Sequence, residues 1–140
     1  LAAFARARAA GRLRTRIYAA VPLASWERLR DTVAARGRGD HWLRIGALKG
    51  FVDGSLGAHT AAMLAPFTDA PDDRGLYVTP PESLLAWTAA ADAAGLQVAV
   101  HAIGDAANRT MLDTYERVLA TNGGAPAARR WRIEHAQHLD

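Results

Sequence analysis

Residues 79–105 read TPPESLLAWTAAADAAGLQVAVHAIGD, and this stretch decides the fold class. Thr79-Pro80-Pro81-Glu82 is a helix start, with Thr79 as N-cap, proline at the first helical position, and Glu82 three residues after the cap to close a capping box. The helix is expected to run to Ala94, where Gly95 ends it. Leu96 to His101 then reads as a strand. Ile103-Gly104-Asp105 reads as a loop whose aspartate can cap the next helix, expected from about Ala106 to Ala120.

The same alternation continues outward in both directions. Leu1 to Ala10 is helical and ended by Gly11, and Arg16 to Val21 is a short strand closed by Pro22. Ser25 can cap a helix carrying Trp26, Leu29 and Val33 at helical spacing, which stops in Gly37 and Gly39. Trp42 to Val52 is the next strand, followed by the turn Asp53-Gly54-Ser55-Leu56-Gly57 and a long irregular stretch from Ala58 to about Val78. Loops of that length are usually functional or mobile. Arg130 to about His135 is a final strand. Strands separated by helices imply an α/β fold with parallel strands joined by right-handed crossovers. Neither a G-x-G-x-x-G nor a P-loop stands between strand and helix, so no phosphate-binding signal favours an open doubly wound sheet over part of a barrel. In both architectures ligands gather at the carboxyl ends of the strands.

Composition narrows the chemistry. The 140 residues are close to the roughly 150 of one domain, and half are apolar. Seventeen basic against 14 acidic side chains leave a net charge of +3, too small and too dispersed to require nucleic acid. With no cysteine, disulfides, thiolate nucleophiles and cysteine-built metal sites are excluded. No stretch reaches the 18 or more apolar residues, roughly, of a membrane span. Neither nucleic acid nor membrane is therefore expected as a partner, and with no targeting segment visible the expected location is cytoplasmic. Lys49 is the only lysine, and it sits in an apolar strand.

Period-two alternation assigns Ile45, Ala47, Lys49, Phe51 and Asp53 to one face of their strand. Gln97, Ala99 and His101 share a face of the next, and Trp131, Ile133 and His135 share a face of the last. Three successive strands thus deliver Lys49, His101 and His135 toward one rim, where side chains of neighbouring strands can converge on an ion. Imidazole suits zinc, iron, nickel or cobalt. An ammonium repels a cation, but burial favours the neutral amine, which can add carbon dioxide and become an anionic carbamate ligand. Singly, each residue has a simpler reading: a satisfied histidine, or a lysine snorkelling or paired with Asp53.

The runs Leu48-Lys49-Gly50-Phe51-Val52-Asp53-Gly54-Ser55-Leu56-Gly57, Val100-His101-Ala102-Ile103-Gly104-Asp105 and Arg132-Ile133-Glu134-His135-Ala136-Gln137 closely resemble the metal-dependent amidohydrolase superfamily, in the branch holding N-substituted formamide deformylases. The resemblance implies an incomplete (β/α)₈ TIM barrel, about strands three to six, with residues 1–140 a single segment of the catalytic barrel whose amino- and carboxyl-terminal parts are missing. It implies Lys49 as a carboxylated metal bridge, and His101 and His135 as ligands. Divalent metal ions, zinc foremost, are the implied cofactors, and a small amide-type molecule is the implied substrate. The implied reaction is attack of a metal-activated hydroxide on the carbonyl of a non-peptide carbon–nitrogen bond. The family's strand-one H-x-H pair and strand-eight aspartate have no counterpart here.

The remaining polar residues have plainer expectations. Asp53 and Asp105 are candidates for orienting a ligand from behind, although turn and cap duty accounts for both. Glu134 is expected to alternate away from His135 and pair with an arginine behind the barrel. His41, His59 and His138 are assigned no role, the four tryptophans are assigned to packing, and Arg6, Arg8, Arg12 and Arg14 to a solvated face. The alternative to a hydrolase segment is a noncatalytic half-barrel whose open edges pair it with another copy, a homo-oligomer inactive in isolation.

Overall fold

A computed structural model describes residues 1–140, the side chain of Pro126 excepted. Its elements are α1 (Ala2–Ala9), β1 (Ile17–Pro22), α2 (Trp26–Arg36), β2 (Leu43–Phe51), α3 (Pro81–Ala93), β3 (Gln97–Ala102), α4 (Asp105–Asn122), α5 (Pro126–Arg129) and β4 (Arg132–His135). The four strands form one sheet in the order β1-β2-β3-β4, every neighbouring pair parallel. The sheet is thus a sequential arc of a (β/α)₈ barrel, as expected of helices alternating with parallel strands.

Leu48, Val98, Val100 and Ala102 point from the strands toward the helices and are fully buried. They meet Leu29 of α2, Leu84 and Ala91 of α3, and Met111 and Tyr115 of α4. Trp26, Trp87 and Trp131 pack around this core, as their packing assignment required, whereas Trp42 lies under the guanidinium of Arg8, 5.8 Å from its ring centre. The opposite face, turned toward the barrel axis, carries Ala47, Lys49, Phe51, Ala99 and His101. Phe51 is 48 % exposed there.

Several local expectations are corrected. The α3 helix starts at Pro81, with Pro80 in the cap position and no side-chain cap bond. A residue before proline is driven out of the helical region, so Pro81 keeps Pro80 extended and Thr79 is left outside the first turn. Ser25 makes no cap bond either, because a short 3₁₀ turn, Leu23–Ser25, leads directly into α2. Asp105 is the first residue of α4, with Gly104 in the cap position. The α5 turn had no counterpart in the sequence reading, and β4 begins two residues later than expected.

Alternation along β2 is broken by a bulge. The pairing steps from Ala19–Ile45 to Ala20–Ala47, skipping Gly46, whose φ of 131° is open to glycine. A Cβ at Gly46 would stand 2.2 Å from Nη1 of Arg38. Ile45 therefore joins the helix-side core instead of sharing the face of Lys49.

Candidate functional site

The carboxyl end of β2 runs into Asp53, whose side chain is the organising group. It is buried, and its carboxylate accepts three backbone N–H groups: Ala62 at 3.0 Å, Ile103 at 3.0 Å and Gly104 at 2.8 Å. One side chain thus ties the long loop after β2 to the turn after β3. Gly104 permits the approach, since a Cβ there would lie 1.9 Å from the carbonyl oxygen of Ala62. Asp105 adds a second tie by accepting from the N–H of Leu64 at 2.8 Å and of Ala106 at 2.7 Å. The 58–78 stretch is further held by Met63–Arg74 and Phe67–Asp73 backbone bonds of 2.9 Å.

His101 sits beside this clamp. Its Nε2 lies 2.6 Å from the carbonyl oxygen of Gly54 and 3.4 Å from Oδ1 of Asp53. A carbonyl only accepts, so the neutral imidazole carries its proton on Nε2 and leaves Nδ1 with the free lone pair. The chain thereby selects one tautomer of His101.

His135 reaches the same place by an unexpected route. It pairs in register with Ala102, which faces the helices, and Trp131 and Ile133 do pack on that side. Regular alternation would leave His135 with them. A φ of 78° at His135 and 44° at Ala136 turns the backbone instead, a conformation uncommon for residues with a Cβ. The imidazole stands edge-on to that of His101 with ring centres 4.6 Å apart. The turn is anchored by the N–H of Ala136 to Ala102 at 3.1 Å, and by the N–H of His138 to Ile103 at 2.9 Å. The buried Nδ2 of Asn108 holds the carbonyl of His138 at 3.1 Å.

Lys49 lies on the same face, two residues before Phe51. Its Nζ is 4.9 Å from the centre of the Phe51 ring, and that ring is 5.3 Å from the ring of His101. The Nζ is shielded from solvent and has no hydrogen-bond partner, while Asp53, its expected alternative partner, is committed to the loops. Burial pushes the Lys49 ammonium below the usual lysine range. Glu134 opposes that shift and Arg132 adds to it.

Glu134 corrects the sequence reading. It does pair with an arginine, Arg132 Nε at 2.7 Å, but not behind the barrel. Its register partner is His101, so it faces the axis, close enough to Lys49 and His135 to feel the charge of both. The Arg132 bond holds its carboxyl below the usual range. Alternation counted from His135 hid this residue; the β3–β4 register was the signal that exposes it. His59 and His41 stay apart. His59 stacks on Phe67 at 4.5 Å and reaches Asp69 at 3.3 Å, fastening the long loop, and His41 leans on Trp42.

The donor set suits a soft-to-borderline divalent ion: two imidazoles within one contact, a lone pair directed by tautomer, and a shielded amine without a partner. Among the described residues, no three His, Asp or Glu side chains form a metal cluster by themselves.

The fold is an arc of a (β/α)₈ barrel, with Lys49, His101 and His135 toward the carboxyl ends of three of its strands. The family model described as "Amidohydrolase family" matches residues 1–140, and the chain belongs to that family. Over 119 residues, 84 % of the chain, it is 50 % identical to the Arabidopsis thaliana "Protein LONG AFTER FAR-RED 3". Over 99 residues, 71 % of the chain, it is 39 % identical to "Putative amidohydrolase YtcJ" of Bacillus subtilis (strain 168). It spans about a fifth of these relatives, 20 % and 18 % of their lengths. Among solved structures, an uncharacterized metal-dependent hydrolase from Pyrococcus furiosus superposes with a TM-score of 0.81 at 34 % identity, over 99 % of this chain and 28 % of that one. One from Pyrococcus horikoshii OT3 gives 0.80 at 35 %, over 99 % and 27 %.

Proposed function

We propose that this segment supplies Lys49, His101 and His135 to a divalent-metal site, zinc by preference, in a hydrolase that cleaves carbon–nitrogen bonds other than peptide bonds in a small amide-type substrate. The observation that carries the reading is the meeting of His101, with Nδ1 left free, and His135, on the face that also holds the unpartnered amine of Lys49. A bound divalent cation supplies Lewis acidity toward a carbonyl oxygen and lowers the pKa of water. The protein's share is positional. The Gly54 carbonyl and Asp53 keep the proton of His101 on Nε2, as outer partners of metal-binding histidines do. The left-handed turn at His135 and Ala136 directs the second imidazole inward. Shielding of Lys49 favours the neutral amine, which can attack carbon dioxide. The new N–C bond and loss of one amine proton would leave an anionic carbamate oxygen as donor. The similarity to metal-dependent hydrolases supports the metal. The carbon–nitrogen specificity rests on the family alone.

The test is metal analysis of the full-length protein beside its Lys49→Ala, His101→Ala and His135→Ala variants. Each variant should lose most of its bound metal and its amide hydrolysis, and bicarbonate labelled with carbon-13 should give a carbamate signal only where Lys49 is present. Undiminished metal content in the three variants overturns the reading. A second reading, self-association of this chain as a noncatalytic half-barrel, is favoured by the sheet ending in β1 and β4, whose outer edges can accept a further strand. Sedimentation as a monomer would exclude it.

A further inference from the structure

The opposite end of the sheet gathers charge that this chemistry does not use. A cavity of about 740 Å³ opens at the amino ends of the strands, lined by Tyr18, Arg38, Arg44, Gln97, Arg129 and Arg130 among others. Four guanidinium groups meet one carboxylate there, that of Asp92, and it is already engaged. Arg129 grips its two oxygens at 2.6 and 3.0 Å, and Asn122 donates to it at 2.9 Å. Arg38 is committed as well, to the carbonyl oxygens of Gly95 at 2.7 Å and Gly46 at 3.4 Å.

Arg44 and Arg130 differ. Both are exposed. Arg44 has the ring of Tyr18 beside it at 5.8 Å, and Arg130 is held through its backbone carbonyl, which accepts from Gln97 Nε2 at 2.8 Å. Among the described residues neither guanidinium has a carboxylate partner. Arg130 also keeps a φ of 52°, a left-handed conformation that places it where β4 is about to begin.

Two guanidiniums without carboxylate partners on the wall of one cavity give it a positive potential, which a bound anion would offset. The guanidinium fork matches the paired oxygens of phosphate, and the volume lies within the roughly 300–1,000 Å³ of small-molecule sites. The geometry points to a binding site for a small phosphate-bearing molecule at the amino ends of the strands, formed by Arg44 and Arg130 with Arg38 and Arg129 as fixed walls. This site is independent of the proposed metal centre, because neither Lys49 nor either histidine of that centre borders it.

Thermal melts and titration calorimetry of the full-length protein with inorganic phosphate, then pyrophosphate, test it, ionic strength being held constant with chloride. Pyrophosphate should bind saturably and raise the Tm, as any ligand of the folded state does. The double variant Arg44→Ala, Arg130→Ala should bind at least about tenfold more weakly, the effect of losing a charge-assisted contact, with basal amide hydrolysis unchanged. Arg44→Lys, Arg130→Lys should fall between, guarding against a misfolded alanine variant. No saturable binding by the wild type, or equal binding by the alanine variant, overturns the site.

Discussion

The two faces of the four-stranded sheet are built on opposite terms. The face toward the helices is dry: Leu48, Val98 and Val100 are fully buried against α2, α3 and α4. The face toward the barrel axis carries Lys49, Phe51, His101, Arg132 and Glu134, with a shielded amine left unpartnered. Close packing is what stabilises the first. The second holds charged and imidazole side chains, among them a shielded amine whose hydrogen bonds are unmade, the condition in which a side chain remains available to a ligand. Stability and chemistry are thus separated by the thickness of one strand.

That contrast can be broken by substitution. Leu48→Ala on the helix face should cost about 2–5 kcal/mol, the transfer and cavity effects of a buried leucine, read from the midpoint of a denaturant melt. Asp53→Ala should cost about 2–4 kcal/mol, since it orphans three buried N–H groups at about 1–3 kcal/mol each before relaxation. Asp53→Asn, which retains one acceptor oxygen, should fall between. Phe51→Ala on the axis face should cost under about 1 kcal/mol, because nearly half the ring is already exposed. A loss at Phe51 equal to that at Leu48 would mean the two faces are packed alike, and the contrast would fail.

The smallest effect concerns pH at the entry to β2. The N–H groups of Leu43 and Trp42 bond to Asp40 at 2.9 and 2.8 Å and hold its carboxyl down at about 2, from an ordinary 3.8, with Arg8 helping. A carboxyl with a depressed folded-state pKa stabilises the fold above its unfolded value and loses that contribution as pH falls through the folded one. The Asp40 contribution should therefore be intact above about pH 4 and fade toward pH 2. Asp40→Asn keeps an acceptor but does not titrate, so its melts at pH 3 and pH 6 should differ less than those of the wild type.

The long loop after β2 shows where reading from sequence stops. Its length marked it as functional or mobile, yet it is pinned by Asp53, Asp105 and its own backbone bonds. Leu64 and its partner Asp105 are 41 residues apart, a separation no local pattern records. Thr79 was misread for a nearer reason: the capping pattern was present, but the second proline outweighed it by forbidding helical geometry at Pro80. Glu134 was assigned behind the barrel because alternation was counted from a histidine whose backbone does not alternate.

By itself the sequence determined the alternation of helix and strand, the parallel sheet, and the three motifs bearing Lys49, His101 and His135, since hydrophobic periodicity and glycine or proline punctuation are local properties. Only the tertiary structure decided the bulge at Gly46, the tautomer of His101, the left-handed turn that brings His135 inward, and the facing of Glu134. Each depends on register and on hydrogen bonds between distant segments, which exist only once the strands have paired.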